Sequence, residues 1–177
     1  MVSENRRFAV VFHLAAIVAA FAGFVAQLPA QVVAGGYFPP LNSTGLSGGK
    51  VPVTKGHVVL VDFWASWCAP CKASFPTYSL LQSEYADRGL IIVAVGVDEN
   101  VSEYTAFVDR LKPTFATLHD SKRALVSFIQ VPTMPTSYLL DRDGKVRFVH
   151  PGFRGLQTER ELRSEIEILL NEKAINQ

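Results

Sequence analysis

An apolar run, Val58-Val59-Leu60-Val61-Asp62-Phe63-Trp64, leads within four residues into Cys68-Ala69-Pro70-Cys71, and apolar residues at helical spacing come directly after. That order predicts a buried strand, a short turn and a helix start, with two sulfurs held at the junction. Cys68 and Cys71 are the only cysteines of the 177 residues, so whatever thiol chemistry the chain performs is confined to one place.

A C-x-x-C at such a junction is read in three ways: half of a zinc site, a structural disulfide, or a dithiol that cycles. Zinc normally takes four ligands, and neither a second C-x-x-C nor an H-x-x-x-H is present, while His13, His57, His119 and His150 are scattered singly. A disulfide that closes so short a loop removes little entropy from the unfolded chain. The cycling dithiol is the favoured reading.

The residues after the first sulfur supply the physical case for reactivity. A helix is predicted over residues 69–86 from the spacing of Phe75, Tyr78, Leu81, Gln82 and Tyr85, with Pro70 in the first turn, where proline is tolerated. Cys68 then sits at a helix N-terminus, where unpaired N–H groups and the helix dipole favour a thiolate. Cys71 lies almost one turn further along the same face. Cys68 is therefore the expected nucleophile and Cys71 the resolving thiol. Pro76 should kink this helix without ending it.

The rest of the chain alternates between helix and strand patterns. Strands are expected over residues 90–97, 115–118, 137–140 and 145–150, the last two joined as a hairpin through Arg142-Asp143-Gly144. Helices are expected over 102–111, opened by Ser102, over 121–129, and over 159–171, where Thr158 and Glu161 stand at capping-box spacing. The alternation indicates an α/β domain, and the closing hairpin makes its sheet mixed.

These features together resemble the thioredoxin fold, and more narrowly the TlpA/ResA-like (DsbE-related) extracytoplasmic thiol-disulfide oxidoreductases. The resemblance is carried by residues 61–72 (VDFWASWCAPCK), by Phe75-Pro76, and by residues 134–145 (MPTSYLLDRDGK), and it covers about residues 37–172. It implies a mixed sheet of four or five strands flanked by helices, a short N-terminal strand or hairpin before the core, and an exposed Cys68 beside a cis-proline. Pro135 matches that cis-proline, with Met134 before it and a buried strand after it; Pro132 competes for the assignment. Together with Trp67, which neighbours Cys68, Met134 and Pro135 are the expected substrate-binding residues. Trp64 reads as core. No cofactor is implied beyond the redox-active pair itself.

Two positions depart from the family pattern. Many TlpA/ResA-like proteins carry a glutamate three residues after the second cysteine and an asparagine at position 62; this chain has Ser74 and Asp62. Asp62 matches instead the buried aspartate of thioredoxin. A carboxyl in an apolar strand beneath the sulfurs should hold its proton more tightly, and it could exchange that proton with Cys71. The alternative is a hydrogen-bonded polar residue with no role in the chemistry.

Residues 8–26 carry no formal charge apart from His13, follow Arg6 and Arg7, and are long enough to span a bilayer. An uncleaved anchor with the remainder exported is favoured; a signal peptide cleaved after Ala30 or Ala34 is the alternative. The expected organisation is an anchor or signal over 1–34, a linker and the start of the N-terminal extension over 35–49, and a thioredoxin-like domain over 50–177. The location is then the bacterial periplasm or an equivalent extracytoplasmic face. A net charge of +1 offers no basic field for nucleic acid. The resemblance implies disulfide-containing exported proteins as partners, apocytochrome c among them, and a membrane thiol reductase as electron donor. Three functions stay open: a reductase, a disulfide-donating oxidase of the same fold, and a Cu(I)-binding module built on the two sulfurs.

Overall fold

A computed structural model describes residues 31–172; the apolar stretch expected to anchor the chain lies outside them. Among the described residues no helix is long and apolar enough to cross a membrane. Five strands form one sheet: β1 (Val58–Trp64), β2 (Leu90–Gly96), β3 (Ala116–His119), β4 (Thr136–Leu140) and β5 (Val146–Pro151). Their spatial order is β3-β2-β1-β4-β5. Strands β1, β2 and β3 run parallel, whereas β4 is antiparallel to β1 and β5 is antiparallel to β4, so the sheet is mixed. All seven residues of β1 are buried, which is why its sequence reads as a continuous apolar run with one exception, Asp62.

Four helices cover the sheet: α1 (Ala69–Tyr85), α2 (Val101–Leu111), α3 (Ala124–Ile129) and α4 (Leu156–Asn171). Alternation along β1 sends neighbouring side chains to opposite faces. Phe63 turns toward Phe38 of the N-terminal segment, with ring centroids 6.5 Å apart. Trp64 turns the other way, against Phe75 of α1 at 5.4 Å and Phe107 of α2 at 4.3 Å. Asp62 shares the face of Trp64 and so points under α1. Helix α1 continues through Pro76, then gives way to a 3-10 turn (Ala86–Arg88) and Gly89 at φ 99°, a left-handed residue that returns the chain into β2. Arg163–Glu84 joins α4 to α1, and Arg88–Glu167 joins it to the 3-10 turn, both at the surface.

Three helix starts differ from the expectation. Helix α2 opens at Val101, and its N-cap is Asn100, whose Oδ1 accepts from the Ser102 N–H at 2.9 Å. Helix α3 begins only at Ala124, because Arg123 is held in the left-handed region at φ 54°. The Asp120 carboxylate then accepts from the Ala124 and Val126 N–H groups, both at 2.9 Å, and so supplies the cap from four residues upstream of α3. Helix α4 begins at Leu156 after Gly155, three residues before the expected position. Thr158 is buried in its first turn, where its hydroxyl accepts from the Arg154 N–H at 3.0 Å, and Glu161 pairs with Arg154 and Gln157 side chains instead of closing a capping box.

The segment that composition reads as a linker is seated on the domain. Phe38 and Leu41 are in the core. The extension expected before the domain takes the form of single antiparallel bridges, Tyr37 with Lys145 and Ser47 with His119. Further backbone bonds join Gly35 and Gly36 to Val146, each at 2.8 Å. The segment thereby occupies part of both sheet edges, where unpaired strand groups would otherwise face solvent.

Candidate active site

Cys68 and Cys71 are joined in a disulfide, with their Cα atoms 5.3 Å apart, at the point where β1 hands over to α1. The turn that leads into the pair is closed by the Cys68 N–H donating to the Ala65 carbonyl at 3.1 Å. It is also fixed from the neighbouring strand. Asp98, just beyond β2 and only 2% exposed, accepts from the Ser66 N–H at 3.1 Å through each carboxylate oxygen, and from the Ser66 hydroxyl at 2.8 Å. With one side chain holding both the main chain and the hydroxyl of Ser66, this loop is pinned to the sheet and not left to its own turn propensity.

Cys68 is the N-cap of α1, extended at φ −84°, and its sulfur accepts from the Cys71 N–H at 3.2 Å. Pro70 lies within the first turn, where a missing N–H costs nothing. The Cys71 amide, at the positive end of a 17-residue helix, is therefore aimed at the Cys68 sulfur. The fold resemblance implies an exposed Cys68, yet the residue is 4% exposed and Cys71 is fully buried. As cap and disulfide partner, the sulfur is drawn in against the helix, while Trp67 beside it is 70% exposed.

The Met134–Pro135 peptide bond is cis. Pro135 is buried and immediately precedes β4, whose first residue, Thr136, pairs with Phe63. Pro135 is thus level with Trp64, at the same end of the sheet from which the Cys68 turn departs. The Gly152 N–H donates to its carbonyl at 2.7 Å and ties this corner to the end of β5. Met134 is partly buried against the core.

Asp62 has no exposed surface. The Tyr78 hydroxyl donates to its Oδ1 at 3.0 Å, and Oδ2 is buried without a hydrogen-bond partner among the described residues. Burial pushes the Asp62 carboxyl well above its ordinary 3.8, and the Tyr78 bond offsets this only in part. The folded protein therefore holds a proton there that the unfolded chain releases above that ordinary value. Stability contributed at low pH is lost as pH rises from the unfolded value through the raised folded one. Asp62→Asn, which keeps an oxygen for Tyr78 but has no proton to lose, should flatten that decline. Urea unfolding at a series of pH values checks this: parallel curves for the two proteins would show that Asp62 does not titrate in the folded state.

Sequence reasoning groups Cys68, Cys71, Trp67, Met134 and Pro135, and the fold places them at one end of the sheet. It misses Asp98 and Ser66, whose contact spans 32 residues and leaves no local pattern. It also treats Tyr78 as one more apolar residue of α1. The available signal was a hydroxyl-bearing ring on the buried face of a helix that lies over a buried acid, because buried tyrosine hydroxyls usually find a partner. His119 and His150 are both accounted for within the fold: the first bonds the Asp98 carbonyl at 2.6 Å, the second the Glu165 carboxylate at 2.6 Å. Among the described residues no group of three or more His, Cys, Asp or Glu is arranged to hold a metal ion.

The Redoxin family model matches residues 34–166. Thioredoxin-like protein YneN of Bacillus subtilis is 34% identical over 135 residues, 73% of this chain and 76% of that protein. Thiol-disulfide oxidoreductase ResA of Oceanobacillus iheyensis is 34% identical over 98 residues, 55% of this chain but only 51% of that one. Among solved structures, a Chlorobium tepidum protein assigned as a thiol:disulfide interchange protein DsbE superposes with a TM-score of 0.72 at 34% identity, covering 80% of this chain and all of that one. With a strand, a C-x-x-C disulfide capping a helix, and this mixed five-stranded sheet already in hand, the chain belongs to the Redoxin family, among its thioredoxin-fold TlpA/ResA-like thiol-disulfide oxidoreductases.

Proposed function

We propose that the protein reduces disulfides in exported proteins on the extracytoplasmic side of the membrane, tethered there by residues 8–26. The observation that carries this reading is the Cys68–Cys71 disulfide at the start of α1, with Cys68 as the cap and Cys71 behind it. In the reduced protein the Cys68 thiolate attacks a substrate disulfide. One substrate sulfur leaves as thiolate, and the other is bonded to Cys68. Cys71 then attacks the Cys68 sulfur, releases the second substrate sulfur and restores the internal disulfide. Two electrons pass from the dithiol to the substrate, and two protons finish on the substrate thiols. A membrane thiol reductase returns the pair to the dithiol.

Asp62 serves the second step by taking the proton of Cys71 as its sulfur becomes nucleophilic. A buried carboxyl whose proton affinity is raised toward that of a thiol is suited to the exchange. Substrate lies in an extended strip over Trp67, Met134 and Pro135. The exposure of Trp67 supports this, since a large ring left in solvent beside a reactive sulfur is a ready contact surface. Apocytochrome c is one substrate class that the family resemblance suggests.

The equilibrium reduction potential of the purified protein against a glutathione or dithiothreitol buffer tests the direction. A value close to that of thioredoxin, about −270 mV, is expected for a reductant fed by a membrane donor. A value close to that of DsbA, about −120 mV, would make the protein a disulfide donor to folding chains instead.

A further inference from the structure

Four buried polar side chains from three elements gather between α1 and the sheet, on the helix face that also carries Cys71. Asp62 comes from β1, Ser74 and Tyr78 from α1, and Ser137 from β4, directly across from Asp62 in register; none is more than 2% exposed. Cys71, Ser74 and Tyr78 stand at positions i, i+3 and i+7 of one helix, and so line one face over β1. The Tyr78 hydroxyl, which has a single proton, gives it to Asp62 Oδ1 at 3.0 Å. The Ser137 and Ser74 hydroxyls lie beside its oxygen. Ser74 gives its one proton to the Cys71 carbonyl at 2.9 Å, tying this cluster to the main chain that carries the resolving cysteine. The remaining oxygen, Asp62 Oδ2, has no partner among the described residues in this oxidised form.

We propose that Tyr78 is a positioning residue for disulfide exchange: its hydroxyl occupies Oδ1 of Asp62, so that proton exchange with the Cys71 thiol runs through Oδ2. The inference rests on the reading of Asp62 as the proton-transfer group. A buried carboxyl oxygen without a partner is costly, and the cost is expected where the partner exists only in the other redox state. In the disulfide, Cys71 has no proton to share. In the dithiol it has one, and Oδ2 is the oxygen free to receive it. Ser137, opposite Asp62 in register and beside the Tyr78 hydroxyl, supports the clamp, because a hydroxyl with a donor at its oxygen becomes a better donor itself.

The surroundings isolate this pair. Across from Asp62, β2 presents Ala94 and β4 presents Ser137, neither of which titrates. From the buried face of α1 the titratable groups are Cys71, Tyr78 and, two turns further along, Tyr85, while Lys72 and Glu84 are exposed. His150 of β5, opposite Ser137, is engaged by Glu165 and lies near Glu161, both on α4. Burial, and after it the neighbouring Asp62, raises the Tyr78 hydroxyl well above its ordinary value, which keeps it a donor.

The test is the pH profile of disulfide exchange by the full chain, with insulin disulfide as probe, for wild type, Tyr78→Phe, Asp62→Asn and the double variant. Without the Tyr78 donor the carboxyl holds its proton more firmly. Tyr78→Phe should therefore run about several-fold slower on the acid side, with its rising limb moved to higher pH and the full rate recovered there. In the Asp62→Asn background Tyr78→Phe should move nothing more. Ser137→Ala should move the limb the same way by less, and it gives the answer if Tyr78→Phe does not fold. An unmoved limb in folded Tyr78→Phe, or in Ser137→Ala where that variant stands in for it, overturns the proposal, and so does a shift that survives Asp62→Asn. If Asp62→Asn itself keeps the wild-type profile, the proton-transfer reading falls and this one with it. If Asp62→Asn alters the profile and Tyr78→Phe does not, only the positioning role is lost.

Discussion

Cys68→Ser is expected to reduce disulfide exchange to the uncatalysed level, and Cys71→Ser to leave the first attack intact and accumulate mixed disulfides with partner proteins. The asymmetry arises from where each sulfur sits. Cys68 caps a 17-residue helix and receives the Cys71 N–H on its sulfur, so the helix amides stabilise negative charge there. It also adjoins the exposed Trp67 and retains some surface of its own, whereas Cys71 has none. An incoming disulfide reaches Cys68 first. Cys71 acts only on a sulfur already bonded to its neighbour, an intramolecular step whose loss stalls the reaction without preventing it from starting. Non-reducing electrophoresis of the two variants recovered from cells separates the outcomes. Covalent partners on Cys68→Ser, with none on Cys71→Ser, would reverse the assignment of attacking and resolving thiols.

Much of the fold could be read from the sequence because the sheet is buried on both faces. A central strand covered on both sides must be apolar at every position, and 58–64 and 90–96 are nearly so. The polar exception in the first, Asp62, is where the buried hydrogen-bonded network forms. Helix starts were harder to place, because capping residues compete at neighbouring positions. Asn100 and Ser102 both suit an N-cap, and Thr158 with Glu161 has capping-box spacing while lying inside the helix. At α3 and α4 the start follows a left-handed residue, Arg123 and Gly155, with Asp120 reaching the first amides of α3 from four residues upstream. The N-terminal segment is the sharpest instance. Its glycines and prolines read as linker, yet Phe38 packs against Phe63 and Tyr138 of the sheet, a contact that depends on tertiary geometry alone. At the active site the cysteines and Pro135 are carried by short motifs. Asp98 and Tyr78 act across 32 and 16 residues of chain, and only the closed sheet brings them to their partners.

Trp64→Ala should destabilise the domain by about 3–5 kcal/mol, a large share of the roughly 5–15 kcal/mol that holds such a domain together. The indole is fully buried at the last position of β1, stacked on Phe107 at 4.3 Å and Tyr104 at 5.5 Å, and edge-on to Phe75 at 5.4 Å. Its Nε1 makes no hydrogen bond among the described residues, so truncation forfeits packing and nothing else. The hole cannot easily collapse. Gly96, its register partner on β2, lets Trp64 and Tyr104 approach so closely that a Cβ there would meet the two rings at 2.8 and 2.7 Å. The rings are therefore seated on backbone, which does not move in to fill a void. Trp64→Phe retains most of the contact area and should cost far less. Thermal unfolding measures both, with a fall of about 10 °C or more expected for the alanine variant. A loss below about 1 kcal/mol would mean that Tyr104 and Phe107 close over the site. Because the Cys68 turn begins directly after Trp64, the alanine variant should also exchange disulfides more slowly at temperatures where it is still folded. A destabilised variant with an unchanged rate would show that Asp98 and Ser66 alone hold that turn in place.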